Sequence, residues 1–380
     1  MKTTSKHTLC VHEGTAFDQA TRGVNTPVYT SSSFAYLDTD ARTYPRYFNT
    51  PNQVVIERKL AALEGAEEGI FFASGMAAIS TILFSFLKQG DHVLFQKGLY
   101  GGTTHMVTTE LERFGISYSF TDGNDTVDFK NGILPTTRLL YIETPSNPLL
   151  GITDIATVAE IGKKRKIPTA IDNTFASPIN QNPHLLGIDL VMHSATKYIG
   201  GHSDLCAGAV VSSRELVGRL RNTALNLGGS LNAQTCALIE RSMKTMAIRV
   251  ERQNDNAMKI AAALAAHAGI GKVYYPGLES HPGHDVARKQ MSGFGGMVSF
   301  DLMDADPVVF QKKLKLIRPS MSLGGVDSII CSPVLTSHRH LSPAERLREG
   351  ITEKTLRLSV GIEDPEDVID DCIQALRARS

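Results

Sequence analysis

Apolar residues follow two alternating patterns between about residues 50 and 200. Short, uninterrupted apolar runs predict buried strands, and longer segments with apolar residues every three or four positions predict helices between them. The predicted strands cover 69–73, 92–95, 138–142, 169–171 and 190–192, and the predicted helices cover 53–63, 76–87, 104–114 and 152–166. This alternation indicates an α/β fold, with a mostly parallel sheet covered by helices.

The order of the elements changes after about residue 245. A long helix at about 244–268 precedes a strand at 297–301, a helix at about 306–315 and a last helix from Pro365. These elements predict a smaller C-terminal α/β domain. The predicted division is an N-terminal arm at 1–50, a large domain at 51–245 and a C-terminal domain at 246–380.

The composition narrows the class of protein. Lys+Arg and Asp+Glu both number 39, so the charge balance predicts no nucleic acid and no anionic membrane as partner. No apolar run approaches the roughly 20 residues that a membrane span needs, and the N-terminus lacks the apolar core of a signal peptide. The 5 cysteines are scattered without a C-x-x-C pair. A soluble, reduced, cytoplasmic protein without a zinc site is predicted.

The run 189–202 carries the most informative chemistry of the chain. Its apolar strand leads directly into Ser194, Thr196 and Lys197, and a Gly-Gly pair follows. Burial at a strand end lowers the pKa of a lysine, and the neutral amine can attack an aldehyde. A lysine that points into solvent is the alternative that this run leaves open.

Four other predicted strands also lead into residues that could bind a ligand. Gly75 and Met76 open a helix, where backbone N–H groups favour an anion such as phosphate. Tyr100, Asn147 and Asp172 follow three further strands. Ligands of parallel sheets bind beyond the carboxyl ends of the strands, where these residues would meet. Taken singly, each has an ordinary structural alternative: a tight turn, a surface ring, a Pro-rich turn or a helix cap.

Together, these residues match what pyridoxal 5'-phosphate (PLP) requires. The cofactor needs a lysine for its imine, a carboxylate that keeps its pyridine nitrogen protonated, an aromatic ring that stacks on it, and donors for its phosphate. Lys197, Asp172 and Tyr100 supply the first three. With its ring nitrogen protonated, the cofactor acts as an electron sink.

The order and spacing of these motifs resemble those of the transsulfuration enzymes of cysteine and methionine metabolism. This PLP-dependent family includes cystathionine γ-synthase, cystathionine β- and γ-lyases, methionine γ-lyase and homoserine-ester sulfhydrylases. The resemblance extends from Thr26 to Ala378, and its motifs lie at 74–77, 100–103, 143–148, 172–174, 194–202, 322–325 and 357–364. It implies the type I PLP-dependent transferase fold, which is similar to that of aspartate aminotransferase.

The resemblance also implies a role for each site residue. Lys197 would bond the cofactor and carry protons, Asp172 would pair with its ring nitrogen, and Tyr100 would stack on the ring. Arg357 would bind the substrate α-carboxylate, a task suited to a bidentate guanidinium. The other implied cofactor ligands are Gly75, Met76, Asn147, Ser194 and Thr196, and the other implied substrate ligands are Ser322, Asn147 and Asp327.

The segment around Tyr44 implies a shared active site. Family members carry Y-S-R-x-x-N-P-T there, and its Tyr and Arg reach the phosphate in a neighbouring subunit. Tyr44 and Arg46 keep their spacing, whereas Pro45 replaces the serine and one residue is inserted within 49–51. The resemblance therefore implies a homotetramer built as a dimer of dimers.

The exact reaction is predicted from a few pocket positions. Gly102 stands where methionine γ-lyases carry a cysteine, and Leu323 stands where one group of bacterial cystathionine β-lyases has a tryptophan. Asp327 occupies the place of a glutamate that can pair with the distal ammonium of cystathionine, whereas Thr43 replaces an acid found in several cystathionine enzymes. We expect an enzyme that makes or cleaves cystathionine by β/γ-elimination or γ-replacement. Its substrates would be cystathionine, or a homoserine ester with cysteine; the alternatives are an O-acetyl- or O-succinylhomoserine sulfhydrylase and a methionine γ-lyase.

Two other classes fit the sequence less well. A nicotinamide-dependent dehydrogenase would show a G-x-G-x-x-G motif after an early strand, and the sequence has none there. A regulatory protein that had lost the chemistry would lack Lys197, Asp172 or Arg357. The pairs His281/His284 and His338/His340 have no Cys or carboxylate partners at ligand spacing, so surface histidines rather than a metal site are predicted.

Overall fold

A computed structural model describes residues 4–121, 125–339 and 341–377. His340 and Ala378, which entered the sequence predictions, lie outside the described residues. The strands are β1 Glu68–Phe72, β2 His92–Phe95, β3 Ser117–Phe120, β4 Thr137–Glu143, β5 Thr169–Asp172, β6 Leu190–His193, β7 Gly208–Ser212, β8 Ile270–Tyr274, β9 Met297–Leu302, β10 Arg318–Pro319, β11 Ile329–Cys331 and β12 Thr355–Ser359. The α-helices are α1 Lys6–His12, α2 Pro51–Glu64, α3 Gly75–Phe86, α4 Gly101–Glu110, α5 Thr126–Gly132, α6 Ile155–Arg165, α7 Ser177–Asn180, α8 Arg214–Leu227, α9 Ala233–Met243, α10 Met246–Ala265, α11 His284–Gln290, α12 Pro307–Lys313, α13 Pro343–Arg348 and α14 Pro365–Arg377.

The first sheet has seven strands in the order β1-β7-β6-β5-β4-β2-β3. The strands β6, β5, β4, β2 and β3 pair in parallel, whereas β7 runs antiparallel to both of its neighbours. Strands β2, β5 and β6 are buried at every residue because helices cover both faces of the sheet. The predicted mostly parallel α/β sheet is confirmed.

Local sequence signals fix the helices that flank the site. Helix α2 begins with a capping box formed by Thr50 and Gln53 and ends at Gly65, which adopts a left-handed φ of 71°. Helix α3 begins directly after Ser74, whose side chain accepts a hydrogen bond from the Ala77 N–H. The turn between β1 and α3 is therefore held by one serine side chain.

The second sheet has five strands in the order β10-β11-β12-β9-β8. Strand β12 lies in its centre and is buried at every residue. Helix α10 packs against β8 and α14 and so covers this sheet. The Ser299 hydroxyl on β9 donates to the Pro148 carbonyl at 2.6 Å, which ties the second sheet to a loop of the first.

The structure adds strands that the pattern did not predict. Strand β7 has the sequence Gly-Ala-Val-Val-Ser. It is recognised as a strand because its backbone pairs with β1 on one side and with β6 on the other. Strand β3 is an edge strand whose residues are mostly half-buried, which weakens its apolar signal. The predicted helix 104–114 is α4 followed by a 3₁₀ turn at Leu111–Phe114. In the described ranges, no helix combines the length and the apolarity that a membrane crossing demands.

Candidate active site

A cavity of about 610 Å³ lies beyond the carboxyl ends of the first sheet's parallel strands. Its volume falls in the range of small-molecule sites. It is bordered by residues of both sheets. It brings together ten of the predicted site residues, namely Gly75, Met76, Tyr100, Asn147, Asp172, Ser194, Thr196, Lys197, Ser322 and Arg357.

Lys197 lies in this cavity, just beyond the end of β6. Its Nζ donates to the Ser322 Oγ at 2.7 Å. Burial and, next, the nearby positive charge of Arg357 together lower the pKa of the Lys197 amine to about 8. Near neutral pH, a larger share of this amine is therefore uncharged than in a solvent-exposed lysine, as a nucleophile requires.

The segment that carries Ser322 lies close against the backbone of the lysine loop. Ser322 has a positive φ of 82°, a conformation that costs free energy in a residue with a side chain and is common at functional sites. Two residues later, a Cβ atom at Gly324 would come within 2.8 Å of the Tyr198 N. This close approach, together with a φ of 76°, explains the glycine.

The start of α3 provides donors for an anion. The first N–H groups of a helix have no partner within it, and Ser74 takes the one from Ala77. The N–H groups of Gly75 and Met76 donate no hydrogen bond to any other described residue. A Cβ at Gly75 would lie 3.1 Å from the Ser194 Oγ, so the glycine keeps open the space between helix and hydroxyl. This is a cradle of the kind that phosphate prefers.

Asp172 ends β5 and is 6% exposed. Its Oδ1 accepts from the Thr174 N–H at 3.0 Å, so the carboxylate does hold the local turn, as the alternative reading of this residue expected. Burial raises the pKa of Asp172, which indicates that a charged carboxylate here needs a positive partner. A protonated ring nitrogen would be such a partner.

Glu143 is a site residue that the sequence predictions did not single out. It ends β4, directly beside Asp172 in the strand register, and it lines the cavity. Its two oxygens accept from the N–H groups of Tyr100 at 2.7 Å and of Asn147 at 3.0 Å. Burial and, next, the charge of Asp172 raise the pKa of Glu143 well above its usual range. One buried side chain thus holds two ligand-bearing loops, and an acid at a strand end was its only sequence signal.

Arg357 reaches the cavity from β12 of the second sheet. Its Nη1 donates to the Asn147 Oδ1 at 2.7 Å, and its Nη2 donates to the Ser322 carbonyl at 3.2 Å. The Arg357 side chain is 6% exposed, and its Nε has no hydrogen-bond partner among the described residues. No described carboxylate forms an ion pair with it. A buried, unneutralised guanidinium is well suited to bind a ligand carboxylate.

Tyr100 stands at the cavity edge with 44% of its surface exposed. Its ring lies over Gly102, where an added Cβ would come within 2.5 Å of the ring Cε1. The tyrosine in this position therefore depends on a glycine two residues later. The predicted difference from methionine γ-lyases, a glycine in place of a cysteine, has a direct structural consequence.

Three predicted ligands do not line the cavity of this chain. Asp327 is exposed on the second sheet's side. Tyr44 and Arg46 lie on the surface, where the Arg46 Nη1 donates to the Leu225 carbonyl and its guanidinium lies 5.4 Å from the Tyr47 ring centre. In one copy of the chain, these residues and the cavity are separate features.

Among the described residues, no three or more His, Cys, Asp or Glu side chains are grouped so that they could hold a metal ion. The surface position predicted for the histidine pairs was wrong for two of their members. His281 is 7% exposed and His338 is 3% exposed. His281 Nδ1 accepts from the Gly283 N–H and stabilises a turn, and burial lowers the pKa of both imidazoles to about 4.

The donor set of the cavity fits PLP. The α3 cradle with Ser194 and Thr196 would hold its phosphate, Lys197 would bond its aldehyde carbon, and Asp172 would face its ring nitrogen. The space without a Cβ at Gly75 and the buried carboxylate of Asp172 are the two features that an ordinary sheet edge would not need.

Comparison with known proteins agrees with this geometry. Residues 7–377 match the family described as Cys/Met metabolism PLP-dependent enzyme. Cystathionine gamma-lyase of Bacillus subtilis is 42% identical over 98% of this chain and 99% of its own length. Cystathionine beta-lyase of Lactococcus lactis is 40% identical over 99% of this chain and 100% of its own length.

A solved structure extends the agreement to three dimensions. Cystathionine gamma-lyase from Lactobacillus plantarum, complexed with L-serine, superposes with a TM-score of 0.94 at 37% identity and covers 98% of both chains. The fold predicted from the resemblance is therefore confirmed. This chain belongs to the Cys/Met metabolism family and is a PLP-dependent enzyme.

Proposed function

We propose that this enzyme makes or cleaves the C–S bond of cystathionine. The observation that carries the proposal is the pairing, in one cavity, of a lysine of lowered pKa with a buried guanidinium that no described carboxylate neutralises. The amine suits chemistry at the substrate's Cα, and the guanidinium suits its α-carboxylate. Relatives named as cystathionine lyases at 40% identity or more support the same substrate class.

Each residue then has a defined task. When bound, PLP withdraws electrons from the substrate Cα and so makes its proton acidic. Arg357 orients the substrate through its carboxylate, with Asn147 and Ser322 holding the guanidinium. The Lys197 Nζ removes the Cα proton and delivers protons where the reaction needs them. Asp172 maintains a negative charge at the cavity floor, which stabilises a protonated ring nitrogen.

The residues of the cavity serve β- and γ-chemistry equally, since both begin with loss of the Cα proton. The relatives named above include both a gamma-lyase and a beta-lyase at similar identity, which leaves the same two reactions open. Gly102 beneath the Tyr100 ring favours the cystathionine enzymes over a methionine γ-lyase. A homoserine-ester sulfhydrylase remains the alternative outcome.

A substrate panel tests the proposal. The holoenzyme is incubated with cystathionine, methionine, or a homoserine ester together with cysteine or sulfide, and the products are identified by mass spectrometry. Pyruvate from cystathionine establishes a β-lyase, and 2-oxobutyrate with cysteine establishes a γ-lyase. Cystathionine from the ester and cysteine establishes a γ-synthase. The proposal would be refuted if methionine were the only substrate converted, or if the homoserine ester reacted with sulfide but not with cysteine.

Replacement of Arg357 by alanine is expected to raise KM for amino-acid substrates by about 100-fold. The change removes a charge-assisted, bidentate contact worth about 3 kcal/mol. Steady-state kinetics measures it, and Arg346→Ala is a control because Arg346 pairs with Glu353 outside the cavity lining. An unchanged KM in Arg357→Ala would move the carboxylate site elsewhere.

We also propose that the active site is shared between two copies of the chain, within a homotetramer. Tyr44 and Arg46 keep the family's spacing but lie outside the cavity of their own chain. The arm before them exposes large apolar side chains, with Tyr36 at 74% and Leu37 at 69% exposure. A second copy is the partner that would cover this surface and receive the Arg46 guanidinium.

Complementation between inactive variants tests the shared site. Arg46→Ala and Lys197→Ala are each expected to be nearly inactive. After the two variants are unfolded and refolded together, about half of the dimers should be mixed, and one of the two sites in each mixed dimer has both residues intact. About a quarter of the wild-type activity should therefore return. Differently tagged variants verify that mixed dimers form. Mixed dimers without recovered activity would contradict the shared site.

Two further proposals concern organisation. The division at residues 50 and 245 is supported by the two separate sheets, whose strands lie within 68–212 and 270–359. A cytoplasmic location is supported by five cysteines that all carry free thiols.

A further inference from the structure

A buried arginine on helix α10 contacts the loop that carries Lys197. Arg249 is 5% exposed, and its Nη1 donates to the carbonyl of Tyr198, directly after the lysine, at 2.9 Å. Its Nη2 donates to the Ser242 carbonyl at 2.9 Å, and its Nε donates to the Thr245 hydroxyl at 3.2 Å. No described carboxylate forms an ion pair with Arg249. Its hydrogen bonds therefore join the loop of Lys197 to the junction of α9 and α10.

A charged group is costly to bury in this place. Burial lowers the pKa of Arg249 to about 10, so the guanidinium is still positively charged near neutral pH. Removal of a charge from water costs free energy that an apolar side chain of similar size would not cost. The hydrogen bonds to backbone carbonyls are therefore the specific contribution of an arginine here.

The glycine pair that follows the lysine makes room for this side chain. Gly201 has a φ of 67°, and a Cβ atom there would collide with the Arg249 guanidinium. The Gly201 N–H donates to the Lys197 carbonyl at 2.7 Å, so the chain closes into a tight turn after the lysine. The lysine loop, residues 194–201, can thus approach α10 closely because its last residue lacks a side chain.

A second buried side chain of α10 holds the segment that faces the lysine. Gln253 lies one turn after Arg249 on the same helix face, and it donates to the Gly325 carbonyl at 2.7 Å. Gly325 is part of the segment that carries Ser322, whose hydroxyl accepts the hydrogen bond from Lys197. Neighbouring turns of one helix therefore hold both sides of this contact.

We propose that Arg249 is a positioning residue, which holds the lysine loop so that the Lys197 Nζ reaches the Cα proton of the substrate. This inference rests on the proposed function, in which Lys197 moves that proton. Arg249 does not line the cavity, so it acts through the backbone of the loop. A displacement of about 1 Å in a group that transfers a proton lowers the rate by about 100-fold.

Exchange of the Cα proton of L-alanine in deuterium oxide tests this role. L-Alanine has no leaving group at Cβ, so the rate of exchange in the holoenzyme, measured by NMR spectroscopy, reports proton removal alone. Arg249→Met has no N–H donor and should lower the exchange rate by about 10- to 100-fold. Arg249→Lys keeps a charge but cannot bridge two carbonyls as a planar fork, and should lower it by about three- to tenfold.

Binding of L-alanine should respond differently. Its dissociation constant is obtained from the change in visible absorbance of the bound cofactor. This constant should be nearly the same in Arg249→Met and in the wild-type enzyme, because Arg357 binds the carboxylate from β12. A loss of binding without a loss of exchange rate would overturn the proposal.

Asn256→Leu is the matched control. Asn256 lies on the same helix, is 1% exposed, and donates to the Gly361 and Glu363 carbonyls at 3.1 and 2.8 Å rather than to the lysine loop. Both Asn256→Leu and Arg249→Met should lower the thermal unfolding midpoint, but only Arg249→Met should slow the exchange. Equal slowing in the two variants would indicate a merely structural role and would overturn the proposal. If Arg249→Met does not fold, Arg249→Lys takes its place in this comparison, and a wild-type rate in that variant would overturn the proposal.

Amide hydrogen exchange tests the position of the loop without the reaction. Mass spectrometry of peptides that cover residues 195–203 should show about tenfold faster exchange in Arg249→Met, while peptides from β2 remain as in the wild-type enzyme. An unchanged rate in the loop would overturn the inference. So would a wild-type holoenzyme that leaves the L-alanine proton in place. A wild-type enzyme that exchanges this proton but does not convert cystathionine or the homoserine ester would refute only the proposed function.

Discussion

Replacing Lys197 with alanine is expected to lower kcat by about 10³-fold or more for every substrate that the wild-type enzyme converts. In the proposed mechanism, the variant loses both the nucleophilic amine and the base that moves the Cα proton, and each of these contributes orders of magnitude in rate. It should also lose the visible absorption that arises when the cofactor is bonded to a lysine. Steady-state kinetics and an absorption spectrum of the purified, cofactor-loaded protein measure the two effects.

The surroundings of the amine suggest how to distinguish a chemical from a structural effect. Among the described residues, Nζ donates one hydrogen bond, to Ser322, so the shortened side chain leaves one half-buried hydroxyl without this partner. The thermal unfolding midpoint should therefore change little, and Lys130→Ala, at an exposed position on α5, serves as the control. Wild-type absorbance in Lys197→Ala would assign the bond to another lysine.

Replacing Asp172 with asparagine is expected to lower kcat by about 10²- to 10³-fold while the cofactor remains bound. Asparagine keeps the size of the side chain and can still accept from the Thr174 N–H, so the local turn should survive. What disappears is the negative charge that, in the proposed mechanism, keeps the ring nitrogen protonated. Removal of one preorganised electrostatic contact at a reacting centre has an effect of this size.

The measurement compares kcat with cofactor occupancy, which is determined from the absorbance of the released cofactor. Asp189→Asn is a useful control, since Asp189 accepts hydrogen bonds from Thr169 at the opposite end of β5. That control should alter stability rather than kcat. Near-normal turnover of a fully loaded Asp172→Asn enzyme would remove Asp172 from the proposed mechanism.

Much of the fold could be predicted because its signals are local. The central strands are short apolar runs, since both faces of the sheet are covered, and Gly65 and Ser74 mark helix ends through their own backbone and side-chain chemistry. Strand β7 could not be predicted in this way. Its identity depends on β1 and β6, which the chain brings to its two sides only after folding.

The site residues, too, differ in whether the sequence could predict them. Residues that follow a strand, such as Asp172 and Lys197, could be predicted to meet because parallel strands end at one edge of the sheet. Glu143 could be recognised only from the two backbone N–H groups that donate to its oxygens. One of these bonds comes from Tyr100, which lies 43 residues away from Glu143 in the sequence.

The sequence by itself determined the α/β class, the family and the cofactor, since these depend on strand-end motifs that each lie within a few residues. Only the tertiary structure decided that Asp327 stays outside the cavity lining. It also revealed that Arg357 faces the site from the second sheet with no described carboxylate to neutralise it. Charge balance within a cavity is a property of several distant segments together, and no single motif encodes it.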